Sequence, residues 1–416
     1  MDAGLSFVPY GSHQYNWFLD TFFLHNTLAV TGIVFLALLA LVFWNRKAIA
    51  EALQFREKRA LWLLAGIFIV GFFLRNASYN NGVATDGWVF SESAKHIVKG
   101  GLFVKDCAVG NLQQCELYEQ VLFPPGYPFL IAITYLLFGI NSLYASMISA
   151  VLSSLTILLV FLICRQLFKN DTIGLFAAAI FAFFPLDLVF ANTGNARPTS
   201  IFFMALTFFF YLLAVKKNNA KIWALTAVSL SYAIYVRQEN SVLLIPMVAG
   251  LFLFDFFKKP EFEKKKNAEK MRLFAELLLP ACCLFLLTQL PVQTWILRAN
   301  PIDQQGLFGL DAAGGRSLNI ANDMFFANSH SANFGYSPLF NPLISAIFLL
   351  SPPLFLQKKH RKELLFAWCI FAVLLAMTLF YFPQLKESTD YVRYIHPLAL
   401  PFSIICGATV FEIMEK

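Results

Sequence analysis

Asp86-Gly-Trp-Val-Phe90-Ser-Glu-Ser-Ala94-Lys-His-Ile97-Val-Lys-Gly100 and, further on, Phe123-Pro-Pro-Gly-Tyr-Pro128 lie between long apolar runs. In the first segment Asp86, Phe90, Ala94, Ile97 and Gly100 step by four, four, three and three. This spacing predicts one stripe of a short helix that ends in a glycine stop. The second segment is a turn that leads the chain back toward apolar sequence. A polar loop of this kind between apolar runs places candidate chemistry at a membrane surface.

The rest of the chain says where that loop sits. Of the 416 residues 58% are hydrophobic, 47 are Phe and only 14% are charged, where a soluble domain carries about a quarter. The mean hydropathy is +0.63. An all-α, polytopic membrane protein is expected. The net charge of +7 does not point to nucleic acid, because the basic residues sit in short loops between apolar runs. Met1 to Asp20 has no basic start, and no small-residue cleavage site follows the first apolar run, so no cleavable signal peptide is expected.

About eleven spans are expected, at 22–44, 60–75, 141–164, 173–189, 198–215, 222–236, 241–257, 273–296, 341–356, 364–382 and 395–411. Several are shorter than the ~20 residues of an untilted helix. Of the 32 Lys and Arg, 22 fall in 45–59, 165–169, 216–221, 258–272, 357–363 and at Lys416. The positive-inside rule puts that side in the cytoplasm. The N-terminus is then outside, the C-terminus is inside, and loops 76–127 and 297–340 are extracytoplasmic. Segment 128–139 is apolar but too short to cross, and reads as an interfacial helix on the outer leaflet. Residues 1–59 form an accessory span and cytoplasmic loop ahead of a unit at 60–416.

Cys107 and Cys115 share the first outer loop in an oxidising compartment, and a disulfide between them is expected. The other five Cys lie in or beside spans as packing residues. No Cys/His pair has zinc-ligand spacing near that loop. Glu92 and His96 are four apart, either sharing a cation or forming a solvated face.

Two readings of Asp86 stand side by side. It caps the backbone N–H groups of its helix, or it is a carboxylate held at the surface as a general base. Arg75 ends span two. Arg237 and Glu239 lie in the short turn Val236-Arg-Gln-Glu-Asn240. Arg197 opens span five, and Arg393-Tyr394 open the last span. Arginine at such span ends suits a phosphate, because its planar fork bonds two oxygens at once. The alternative for each is snorkelling to lipid headgroups.

These motifs resemble the GT-C integral membrane glycosyltransferases, nearest the family 39-like, lipopolysaccharide-core-transferase-like branch. The resemblance runs over about 60 to 411. It rests on the Asp86 stripe after Arg75, on Phe-Pro-Pro-Gly-Tyr-Pro128 with the apolar stretch to Gly139, and on Arg165-Gln-Leu-Phe. Val-Arg237-Gln-Glu, Arg393-Tyr-Ile-His-Pro and, loosely, Gly314-Gly-Arg-Ser-Leu-Asn-Ile-Ala-Asn322 also match.

The resemblance implies transfer of a sugar, a hexose or a pentose, from a polyprenyl-phosphate carrier. The acceptor would be a cell-envelope glycan, lipid or protein on the outer face of the plasma membrane, as in lipopolysaccharide biosynthesis. It puts Asp86 at the catalytic acid and Arg75, Arg237, Glu239, Arg393 and Tyr394 at the phosphate. Glu92, His96, Arg197 and Tyr127 are secondary candidates. Relatives carry a second acid where this chain reads Asn195-Ala-Arg197-Pro198, so a two-acid site for a divalent metal does not follow. An O-antigen polymerase or ligase, a lipid-linked-sugar flippase or transporter, and a non-catalytic envelope-assembly protein are the alternatives.

Overall fold

The apolar runs become helices. The computed structural model describes residues 17–55, 57–77, 86–99, 124–254, 256, 267–299, 342–353, 360–380 and 395–415, and among them there is no strand. In chain order the helices are α1 (Trp17–Trp44), α2 (Arg46–Leu53), α3 (Lys58–Ala77), α4 (Asp86–Val98), α5 (Gly126–Phe138), α6 (Leu143–Phe168), α7 (Asp171–Ala182) and α8 (Pro185–Ala191). There follow α9 (Ala196–Lys217), α10 (Ala220–Val236), α11 (Leu244–Leu253), α12 (Asn267–Ala299), α13 (Pro342–Leu349), α14 (Arg361–Phe380) and α15 (Ala399–Met414). Short 3-10 turns at Gln238–Leu243 and His396–Leu398 lead into α11 and α15.

Local sequence sets the breaks. Asn170, Asn195 and Asn219 each accept backbone N–H groups at the starts of α7, α9 and α10, which satisfies donors a helix leaves unpaired. Asn218 closes α9 in the left-handed conformation, with φ of 51°. The Asn218-Asn219 pair therefore makes the α9–α10 hairpin from one stop and one start signal.

Among the described residues five helices are long and apolar enough to cross a bilayer, or seven if each bent pair counts as one span. The expected single span at 173–189 is such a pair: α7 and α8 meet at 58°. Pro185 is the cause, because it has no N–H to donate to the preceding turn and disfavours helix in the residue before it. A second bend, of 66°, separates Trp44 from Arg46, so the expected loop at 45–59 contains a short helix. The expected spans at 241–257 and 341–356 hold only the shorter helices α11 and α13 within the described residues.

Helix α9 is buried along almost its whole length, with α6 and α10 packed along it and the α7–α15 pair on the far side of α6. Lipid tails are as apolar as leucine, so close packing and interior hydrogen bonds hold such a bundle together. Both are present. A Cβ at Gly407 of α15 would come within 2.6 Å of the Ala177 backbone nitrogen in α7, so those two helices touch backbone to backbone. Thr207 of α9 and Ser229 of α10 share a hydrogen bond at 3.0 Å.

At one end the segments rich in Lys and Arg meet. Glu51 pairs with Lys217 at 2.5 Å, Arg165 pairs with Asp171 at 3.2 Å and also donates to the Gln54 carbonyl, and Asn45 donates to the Lys221 carbonyl. Helix α1 packs on α10, α12 and α5. Residues 17–55 are thus seated on the bundle.

Candidate functional site

The opposite end gathers α4, α5, the start of α6, the 192–197 turn, the end of α10 and residues 237–240. The stripe that the sequence predicts on α4 is its packed face: Phe90 and Ala94 are buried and Ile97 packs against the core. Phe90 meets the Tyr127 ring edge-on at 5.2 Å, and Ser91 shares a hydrogen bond with Tyr135 at 2.7 Å. Asp86 is the first residue of α4; its side chain lies outside the described part of the chain.

Tyr127, in the Pro-Pro-Gly-Tyr-Pro turn, is fully buried. Its hydroxyl donates to the Ala145 carbonyl at 2.9 Å and lies 2.7 Å from Ser149 Oγ, and Ser149 donates to the Asn195 carbonyl at 2.9 Å. Burial pushes the phenol well above its ordinary range, so Tyr127 joins α5 to α6 and the 192–197 turn as a neutral group. Tyr232 donates to the Gly126 carbonyl at 3.0 Å. The turn that the sequence singles out is therefore bolted to the end of α10, beside Arg237.

There a narrow pocket opens, a cavity of about 20 Å³. Arg197, Arg237, Glu239, Ser200 and Asn240 line its polar part, and Met204, Leu374, Met377 and Pro397 its apolar part. Glu239 takes the Arg237 fork on both oxygens, at 2.5 and 3.3 Å. Asn240 donates to Ser200 Oγ at 2.9 Å and to the Ala233 carbonyl at 2.7 Å, which fixes the turn. Burial works to raise the Glu239 carboxyl, but the Arg237 guanidinium, with Arg197 behind it, holds it below the usual carboxylate value. Arg197, Arg237 and Glu239 thus bring three charged side chains to the polar part of the pocket.

The structure separates the other candidates. Arg75 is wholly buried. Its Nη2 bonds Asp187 Oδ2 at 2.6 Å, its Nε reaches Ser153 at 2.6 Å, and its remaining hydrogens go to the Gly71, Ala182 and Phe181 carbonyls. It is committed to the interior, away from the pocket lining. Glu92 pairs with Lys95 at 2.5 Å. Arg393, Tyr394, Cys107, Cys115 and loop 301–340 lie outside the described residues. Among the described residues no three His, Cys, Asp or Glu side chains come together, and Asn195, where relatives carry an acid, uses its side-chain oxygen to cap α9.

Reading the sequence missed the partner of Arg75. Asp187 is the one acid in the apolar run 173–189. In the structure it accepts from Arg75, from Ser153 at 2.5 Å and meets His396 Nε2 at 2.9 Å, all fully buried. One acid in an otherwise apolar run, and one Arg ending another, are the signal that pointed to the pair.

Residues 123–295 match the family model described as dolichyl-phosphate-mannose-protein mannosyltransferase. That match begins at the Phe123-Pro-Pro-Gly turn. The chain has the GT-C fold. Solved GT-C structures agree with it along most of its length. The oligosaccharyltransferase of Archaeoglobus fulgidus, in its apo form, superposes with a TM-score of 0.54 at 13% identity, covering 87% of this chain and 51% of that one. The oligosaccharyltransferase AglB from Archaeoglobus fulgidus, in complex with an inhibitory peptide and a dolichol-phosphate, gives 0.51 at 14% identity, covering 87% of this chain and 51% of that one. ArnT from Cupriavidus metallidurans, bound to undecaprenyl phosphate, gives 0.52 at 12% identity, covering 86% of this chain and 61% of that one. The chain thus spans about half to three-fifths of the length of these proteins. No curated protein sequence matches it.

Proposed function

We propose that this GT-C protein is a glycosyltransferase of the plasma membrane that moves a sugar from a polyprenyl-phosphate carrier to an acceptor on the extracytoplasmic face. The observation that carries the reading is the pocket whose arginines, Arg197 and Arg237, adjoin an apolar wall of Met204, Leu374, Met377 and Pro397. A polyprenyl phosphate has that same division between dianionic head and hydrocarbon tail. The dolichol-phosphate and undecaprenyl phosphate named with two of the structural neighbours support the same class of donor.

In the proposed reaction Asp86 takes the proton from an acceptor hydroxyl. The freed oxygen pair attacks the anomeric carbon with inversion. The bond from that carbon to the carrier phosphate breaks, and its electron pair leaves with the phosphate. Arg237, Arg197 and Arg393 stabilise the charge that grows there, in a site where water is scarce and fixed donors count for more. Glu239 holds the Arg237 fork in one orientation before the substrate arrives, which removes a reorganisation cost from the reaction. Residues 60–416 would carry the catalysis and 1–59 would brace it. Loop 297–340 would cover the site and exclude water.

Mass spectrometry of the purified protein tests the donor class. A polyprenyl-phosphate sugar should co-purify with the wild-type chain. It should be lost from the Arg197→Ala/Arg237→Ala variant. Equal lipid content in both would remove these arginines from the donor site.

A further inference from the structure

The buried quartet of Arg75, Ser153, Asp187 and His396 is more polar than a lipid-embedded core requires. Removing an ion pair from solvent costs several kcal/mol per ion before any attraction offsets it, and apolar side chains in the same volume often serve stability better. Its place in the chain is informative. Arg75 closes α3, at the root of the loop that leads to Asp86. His396 comes three residues after Arg393 and directly before Pro397, which lines the pocket. Asp187 lies on α8 with Phe190 one turn further along. The Phe190 ring stacks on His396 at 5.2 Å, and the Arg197 guanidinium sits over the same ring at 5.8 Å.

From one carboxylate, contacts therefore run toward three of the four segments that carry the proposed chemistry, the Arg237–Glu239 turn being the fourth. One goes through Arg75, one through His396, and one through α8 and Phe190 to Arg197. We infer that Asp187 is a positioning residue whose hydrogen bonds to Arg75, Ser153 and His396 hold these segments in the register that lets the pocket arginines grip one carrier phosphate. The inference rests on the donor class proposed above. Asp187 touches no substrate; it acts through His396 and Phe190. His396 is one link of this chain, and its ring is held on both sides, by the bond to Asp187 and by the stack on Phe190.

Binding of undecaprenyl phosphate and of undecaprenol to the protein in nanodiscs tests it. The two lipids share a tail, so their affinity ratio reports the phosphate grip alone. His396→Phe keeps the ring, the stack on Phe190 and the Arg75–Asp187 pair, and loses only the bond to Asp187. Arg75→Gln/Asp187→Asn removes both charges together, so neither is left buried without a partner. Arg75→Gln/Asp187→Asn should unfold nearer the wild-type temperature than His396→Phe, which leaves Asp187 Oδ1 without its partner, and both are compared at a temperature where each is folded. In both, the preference for the phosphate should fall by about tenfold or more, the equivalent of losing one hydrogen bond to a charged group. A general loss of packing would weaken the two lipids alike. An unchanged preference in either folded variant overturns the inference. Equal affinity of the wild-type chain for the two lipids overturns the donor reading itself.

Discussion

Arg237 and Arg75 show how differently two arginines at span ends can be used. Arg237 stands in the pocket lining with its fork on Glu239. Arg75 spends its hydrogens inside the bundle. From the sequence both are single cations beside an apolar run. The difference lies in long-range partners, Asp187 for one and a near neighbour for the other, and only the near one is legible in the chain. The Arg393-Tyr-Ile-His motif is read from sequence alone, and its role is a matter of shape as well as charge. Arg393→Lys keeps the charge and loses the bidentate fork. Sugar transfer from a polyprenyl-phosphate donor should fall clearly in Arg393→Lys and further in Arg393→Ala. A snorkelling arginine would tolerate lysine, and wild-type turnover in Arg393→Lys would take the residue out of the site.

Helices α4 and α5 and the turn between them carry the local logic of the site. The 4-4-3-3 stripe of α4 was legible because a helix that buries one face repeats every 3.6 residues. Segment 128–139 is found as a thirteen-residue helix, α5, whose Tyr127, Ile131, Ala132 and Tyr135 face inward while Leu136, Leu137 and Phe138 stay exposed. The bend at Pro185 was readable in principle, since proline breaks a helix at the residue before it, but the unbroken apolar run from 173 to 189 concealed it. Gly126 is the position where sequence and packing meet most tightly. A Cβ there would lie 2.6 Å from the Tyr235 carbonyl carbon and oxygen and 2.9 Å from Val236 nitrogen. Those are backbone atoms beside Arg237, and they cannot swing aside. Gly126→Ala should therefore cost about 1–3 kcal/mol, as overpacking does, and should lower the unfolding temperature in detergent together with donor binding. Wild-type stability in Gly126→Ala would mean that the turn does not seat on α10 in this way.

Across the whole molecule, the distribution of charge predicts an orientation. The basic segments at 45–59, 165–171 and 216–221 meet at one end of the bundle, joined by Lys217–Glu51 and Arg165–Asp171, while α4, α5 and residues 192–197 and 237–240 meet at the other. Composition and the K/R distribution were enough to expect an all-helical membrane bundle, because both record the solvent on each side of every span. The interior polar network was not legible in the same way, because its members are scattered from 75 to 396 and converge only when the bundle closes. The orientation has a direct check in intact cells. Single Cys reporters at Asn111 and Ser329 should react with a membrane-impermeant thiol reagent, and reporters at Asn267 and Lys359 should not. Labelling at 267 would place Asp86 in the cytoplasm.

All of this converges on the carboxylate that opens α4. Asn caps a helix about as well as Asp, so Asp86→Asn keeps the local structure and removes only the ability to accept a proton. The decisive experiment is sugar transfer from a polyprenyl-phosphate donor by Asp86→Asn in nanodiscs, with folding measured on the same sample. Transfer should drop by roughly 10²-fold or more at wild-type stability, the usual scale for losing a general base. Full transfer by a well-folded Asp86→Asn protein would contradict the account and leave Asp86 as a helix cap.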